Sequence, residues 1–257
     1  MTLHLVRLPI DMRSLSAFAV ASGASDDDGG YALHLALRGR FGAAGPQPFR
    51  LMEGRDGAVS LLGYVPDPDA LGDAAALPPA DALLDRLFGT AELREMPAAW
   101  RTGARYRFDL RARPVVRFGG RVREARAARD GAWLNRGGKA AQEVDAFIAA
   151  CERAGEGVPV DRGAVYHDWL ARLLAPAAEL EECQLRQFRR IKSKRSSHGK
   201  PGSGKVEGPE AVMAGTLVIR EPDAFAHLLA RGVGRHAAFG FGMLLLSPPG
   251  RLALDGA

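Results

Sequence analysis

Strand-like and helix-like segments follow one another twice in the same order along this 257-residue chain, and that order limits the folds it can adopt. The segments of the first cycle are a strand at 3–8, a helix at 31–41, a hairpin of strands at 49–53 and 58–65, a helix at 82–88 and a weak strand near 91–97. Residues 66–80, rich in Pro, Ala and Asp, are predicted to form a loop. The order β-α-β-β-α-β is typical of a ferredoxin-like module.

The second cycle contains longer strands and an additional helix. Its segments are a strand at 105–114, helices at 139–154 and 165–174, strands at 178–193 and 211–220, a helix at 222–231 and a strand at 243–246. We therefore predict an α+β fold of tandem ferredoxin-like (RRM-like) modules. The expected domains are residues 1–100, which carry the candidate catalytic helix, and residues 104–257, which carry a basic hairpin and a glycine-rich loop.

The chain has a formal net charge of +5, and its positive charge is concentrated in two segments. Eight Lys or Arg residues and no acid lie between Arg186 and Lys205, and ten Arg residues lie between Arg101 and Arg129. A surface segregated in this way attracts polyanions. A solvated hairpin is the alternative for 186–205, but a thin basic hairpin can also enter the phosphate-lined major groove of A-form RNA.

The helix predicted at 31–41 carries three polar side chains on one face. Residues three or four apart lie on the same side of a helix, so Tyr31, His34 and Arg38 form a stripe opposite apolar residues. A histidine exchanges protons near neutral pH, and a guanidinium can hold a phosphate oxygen. The stripe can therefore support phosphodiester transfer without a metal, although an ordinary surface helix would also have this composition.

A glycine-rich segment connects the last predicted helix to the last predicted strand. Gly232, Gly234, Gly240 and Gly242 allow a backbone to approach a ligand and to present N–H groups to phosphate. The segment matches neither a Walker loop nor a Rossmann fingerprint. A helix cap followed by a tight turn is the other interpretation.

Nothing in the sequence indicates a metal or a cofactor. The two cysteines, Cys151 and Cys183, are far apart and have no CxxC spacing, and no second acidic cluster lies at a suitable spacing from Asp26, Asp27 and Asp28 to complete a metal site. No apolar run is long enough to span a membrane, so a cytoplasmic protein is expected.

Several segments together resemble the CasE family of CRISPR repeat endoribonucleases of type I-E systems, within the RAMP superfamily. They are the strand 3–8, the Tyr31-x-x-His34 helix, the segments 45–51 and 106–114, and above all the glycine-rich segment 232–244. The resemblance covers most of the chain. The region 115–174 is longer than this family leads us to expect, and a divergent, type IV-like branch remains an alternative.

The resemblance implies a function and a set of site residues. His34 is implied to be catalytic and Tyr31 to be its partner, and we add Arg38 from the helix pattern. The expected RNA contacts are Arg186, Arg189, Arg190, Lys192, Lys194, Arg195, Lys200, Lys205, Arg111, Arg113, Arg235 and His236. The implied partners are a CRISPR repeat hairpin in precursor crRNA and the other subunits of a Cascade-type surveillance complex.

The expected reaction is metal-independent transesterification, in which the ribose 2′-OH attacks the adjacent phosphate and the product is retained. A non-catalytic subunit that binds a crRNA hairpin is the main alternative. A metal-dependent nuclease or an unrelated phosphate-binding enzyme is a third possibility, and cleavage of the RNA in EDTA would exclude it.

Overall fold

Two four-stranded antiparallel sheets form the framework of the protein. The structure, a computed structural model, describes residues 2–24, 29–117, 143–194 and 205–248. The first sheet has the order β2-β3-β1-β4 and consists of β1 (His4–Ile10), β2 (Phe49–Glu53), β3 (Val59–Val65) and β4 (Glu92–Glu95). Its helices are α1 (Met12–Ala21), α2 (Gly30–Phe41), α3 (Pro68–Ala76) and α4 (Ala82–Leu87).

The second sheet has the order β10-β5-β9-β8. Its strands are β5 (Arg105–Ala112), β8 (Ala178–Lys194), β9 (Lys205–Ile219) and β10 (Leu244–Ser247). Its helices are α5 (Ala146–Ala154), α6 (Arg162–Leu174) and α7 (Pro222–Arg231), and a separate two-stranded ladder joins β6 (Val115–Arg117) to β7 (Glu143–Asp145). Both four-stranded sheets place their first and third strands in the centre, as the β-α-β-β-α-β order requires, so the predicted α+β fold class is confirmed.

The strands of the first sheet bury both of their faces. Val6 and Leu8 of β1 belong to an apolar core shared with α1, α2 and α4. Tyr64 of β3 points to the other side and joins the core of the second sheet, where its hydroxyl donates a hydrogen bond of 2.8 Å to the Leu244 carbonyl. Alternating side chains of one sheet thus contribute to two cores, and the two halves of the chain pack against each other.

Aspartates cap most of the helices, because a carboxylate before a helix can accept a hydrogen bond from an unpaired N–H of the first turn. The capping residues are Asp11, Asp67, Asp81, Asp145 and Asp161.

No helix of the described residues is long and apolar enough to cross a membrane.

Four details of the sequence-based elements are wrong. Helix α1 was not predicted, because only Leu15 and Phe18 mark its buried face. The predicted loop at 66–80 contains α3, which Asp67 caps and which buries only Leu71. The helix expected from 139 begins at Ala146, after β7, and β9 begins at Lys205 rather than near 211.

Candidate active site

Helix α2 carries the three polar residues of the predicted stripe. Leu33 and Leu37 on its opposite side are buried against the first sheet, with exposures of 1% and 4%. That packing turns Tyr31 and His34 outwards as half-buried side chains and leaves Arg38 exposed. The helix therefore presents the predicted stripe on one accessible face.

The glycine-rich loop of the second half packs against part of this face of α2, beside Tyr31 and His34. The ring centroid of Phe239 lies 5.0 Å from that of His34 and 6.3 Å from that of Tyr31. His34 also makes a hydrogen bond to the backbone of Ala238. Because one ring nitrogen is held in this way, the orientation of the ring is fixed and the other nitrogen can accept a proton.

The surroundings of His34 favour its neutral form. Burial lowers the pKa of His34 below its usual value, and the positive charge of Arg38 lowers it further. The hydrogen bond to Ala238 opposes this shift but does not overcome it. A neutral imidazole at physiological pH can act as a general base.

The conformation of the loop depends on its glycines. All four predicted loop glycines, Gly232, Gly234, Gly240 and Gly242, have φ between +78° and +82°. A Cβ on Gly242 would lie 2.5 Å from the Val233 carbonyl oxygen, and the Gly242 N–H donates to the Arg111 carbonyl at 2.8 Å. Gly242 therefore closes the loop onto β5, and its N–H is engaged within the protein.

Two further loop residues share one carboxylate. Arg235 Nε lies 2.6 Å from Glu143 Oε1, and His236 Nε2 lies 3.0 Å from Glu143 Oε2. His236 is also the only described residue other than glycine with a positive φ, at +69°. Both side chains that were expected to contact RNA thus already have an acidic partner from β7.

A cleft of about 290 Å³ opens beside His34. Its walls include Arg38 of α2, the segment around Gln47 and Phe49, and Ala230 of α7. Both halves of the chain therefore contribute walls to this cleft, just as both contribute residues to the surroundings of His34.

A buried ion cluster lies at the base of the long β8–β9 hairpin. Glu210 is 4% exposed and accepts hydrogen bonds from Arg111 Nη2 at 2.7 Å and Arg189 Nε at 2.9 Å. The Arg111 guanidinium lies 4.3 Å from the ring centroid of Phe241 and donates to the Gly240 carbonyl at 3.4 Å. The cluster connects the base of the hairpin to the glycine-rich loop.

The remaining predicted RNA contacts lie in varied surroundings. Arg113 is buried, with 5% exposure, and its guanidinium packs against Gly208. Arg186 and Arg190 are exposed, and Arg190 pairs with Glu207 at 2.6 Å. The structure describes only the backbone of Lys192, Lys194 and Lys205, and Arg195 and Lys200 lie outside the described residues.

Three residues at the site were not found from the sequence, namely Phe239, Glu143 and Glu210. Phe239 lies inside the glycine-rich segment, and an aromatic residue beside these glycines could have been recognised as a candidate contact of the site. The two glutamates carry no local motif, because their partners come from other strands and loops.

Within the described ranges, no three His, Cys, Asp or Glu side chains are grouped as metal ligands.

The fold and the site define a class of protein in which two ferredoxin-like halves enclose a histidine-bearing helix under a glycine-rich loop. A sequence model of the CRISPR associated protein family matches residues 3–248, so the chain belongs to that family. No individual curated protein matches the sequence.

Solved structures show the same fold. Cse3 of Thermus thermophilus, bound to an RNA representing a pre-cleavage complex, is 21% identical with a TM-score of 0.60, covering 96% of this chain and 100% of the other. Cas6e of Escherichia coli K-12 is 20% identical with a TM-score of 0.53, covering 95% and 99%. A chain of a CRISPR RNA-guided surveillance complex in a pre-nicking state is 19% identical with a TM-score of 0.53, covering 95% and 99%.

Proposed function

We propose that this protein is a metal-independent endoribonuclease that cuts CRISPR repeat hairpins in precursor crRNA. The observation that carries the proposal is the contact between the two halves at His34, whose imidazole is packed by Phe239 and hydrogen-bonded to Ala238. Membership of the CRISPR associated protein family and the fold shared with an RNA-bound Cse3 support RNA as the substrate.

In this proposal, His34 accepts the proton of the ribose 2′-OH. The 2′ oxygen then forms a bond to the adjacent phosphorus, the bond to the 5′ oxygen breaks, and a 2′,3′-cyclic phosphate remains. The lowered pKa of His34 keeps the base neutral and ready. Tyr31 orients the reacting groups, and Arg38, at the edge of the cleft, stabilises the charge that develops on the phosphoryl oxygens.

The RNA stem is proposed to lie along the second sheet, with the β8–β9 hairpin in its major groove. Arg186, Arg189 and Arg190 are exposed on β8, where a phosphate backbone can reach them. The cleft beside His34 offers the strand that leaves the stem a route past the catalytic helix. We further propose that the product is retained in a crRNA-guided surveillance complex, and the fold shared with a chain of such a complex supports this proposal.

The test is single-turnover cleavage of a labelled repeat hairpin in EDTA. We expect the wild type to cut once and to leave a 2′,3′-cyclic phosphate, whereas His34→Ala should bind equally well and cut about 10²–10⁴-fold more slowly. His227→Ala removes a histidine that is exposed on α7 and does not line the cleft, so this variant should cut like the wild type.

Other outcomes separate the alternatives. Tight binding without cleavage by any variant would indicate a binding subunit. Cleavage that disappears in EDTA would indicate a metal-dependent nuclease. Absence of binding would refute the repeat hairpin as the substrate.

A further inference from the structure

The glycine-rich loop carries a second imidazole close to the first. The ring centroid of Phe239 lies 5.0 Å from that of His34 and 6.2 Å from that of His236. One phenyl ring therefore contacts both histidines, and the two proton-carrying groups border the same part of the molecule.

Glu143 holds His236 in a defined orientation. Its Oε2 lies 3.0 Å from His236 Nε2, while Oε1 is engaged by Arg235 Nε at 2.6 Å. The imidazole and the carboxylate are 20% and 15% exposed, so the contact is largely shielded from water. A carboxylate on one ring nitrogen fixes the orientation of the ring and which nitrogen faces away, as in other His–carboxylate pairs. Nδ1 is then the atom that can give a proton to a substrate.

The backbone of His236 is in a conformation that residues with a Cβ rarely adopt. Its φ of +69° is in the left-handed region, which the loop elsewhere fills with glycine. Such conformations are enriched at functional sites, where the surrounding structure maintains them. An imidazole at this position is thus held against a conformational cost by the Glu143 contact and the Phe239 packing.

We propose that His236, oriented by Glu143, is the general acid of the cleavage reaction. The inference rests on the proposed ribonuclease function and deepens it. As the 2′-oxygen–phosphorus bond forms and the proton of the 2′-OH passes to His34, the bond from phosphorus to the 5′ oxygen breaks. That oxygen takes the proton of His236 Nδ1, and exchange with water restores both histidines. Each proton transfer then has its own partner, which a single histidine cannot provide.

The test replaces the 5′ oxygen at the scissile bond by sulfur, because a thiolate leaves without being protonated. Single-turnover cleavage of the ordinary and the 5′-thio hairpin is measured in EDTA for the wild type, His34→Ala, His236→Asn and the control His227→Asn. Asparagine tolerates the left-handed conformation, so the loop is preserved. We expect His236→Asn to cut the ordinary hairpin about 10²–10⁴-fold more slowly, but the thio hairpin within about tenfold of the wild type.

The other variants set the comparison. His34→Ala should remain slow on both substrates, since a better leaving group does not remove the need for a base. Glu143→Gln should show a smaller loss than His236→Asn and the same rescue by sulfur. His227→Asn should match the wild type on both hairpins.

Three results would overturn the assignment while leaving the proposed function standing. They are wild-type cleavage rates for His236→Asn on the ordinary hairpin, an equal defect on both hairpins, and a defect explained entirely by weaker RNA binding. Failure of the wild type to cut the ordinary hairpin would instead overturn the proposed function, and the inference with it.

Discussion

Replacing Glu210 by glutamine should destabilise the protein far more than the same change at the nearby Glu207. Glu210 is 4% exposed and pairs with Arg111 and Arg189, whereas the Glu207–Arg190 pair is open to water, with exposures of 45% and 38%. Glutamine keeps the size of the side chain but removes its charge, and with it the ion pair to Arg111, which is 14% exposed.

The magnitude follows from the burial of the three side chains. Removing one partner of a buried ion pair costs about 3–5 kcal/mol. Arg189 is 50% exposed and can turn to water, so we expect the lower end, about 3 kcal/mol. In a protein of this size, that corresponds to a fall in Tm of about 6–12 °C. Glu207→Gln should cost less than about 1 kcal/mol, as exposed pairs usually do.

Urea and thermal unfolding of the two variants and the wild type measure the difference. Burial raises the pKa of Glu210, but the hydrogen bonds and charges of Arg111 and Arg189 outweigh it and hold the pKa below 4.5. The stabilisation is therefore complete above the pKa of an unfolded glutamate and is lost as the pH falls through the lower folded value. The difference in the free energy of unfolding between the wild type and Glu210→Gln should reach its full value at pH 7 and become smaller below pH 4.5. Equal losses for both variants at pH 7 would refute the reasoning.

Two further predictions concern helix α2 and the glycine-rich loop. On the acidic limb of the pH–rate profile, the cleavage rate should rise with a midpoint below the ordinary histidine value of 6.5, because burial and Arg38 lower the pKa of His34. Arg38→Gln should move that midpoint upwards, and a downward shift of the midpoint would contradict the assignment. Gly242→Ala should lower the free energy of unfolding by at least about 1–2 kcal/mol, since φ is +78° and the new Cβ would meet the Val233 carbonyl. The control is Gly72→Ala in α3, which has open space around it and should be neutral or slightly stabilising. If urea titrations give Gly242→Ala and Gly72→Ala the same change in the free energy of unfolding, the strain argument is wrong.

The sequence was sufficient wherever a signal is local. Helical spacing placed Tyr31, His34 and Arg38 on one face of α2, because the geometry of a helix depends only on its own residues. Strand alternation and turn glycines predicted both β-α-β-β-α-β cycles for the same reason. Helix α3 was missed because its composition of Pro, Ala and Asp is shared by loops and by capped helices, and only Leu71 reports its buried side.

Only the tertiary structure decided what surrounds His34. Phe239 and Ala238 are about two hundred residues away along the chain, and packing of the second half onto the first brings them to the imidazole. Long-range packing likewise pairs Glu143 with His236 and Glu210 with Arg111. No local sequence pattern relates the strands and loops that carry these residues. The sequence by itself therefore determined the fold class and the polar face of helix α2. The partners that orient those residues and shift the pKa of His34 depend on long-range packing, which local periodicity does not encode.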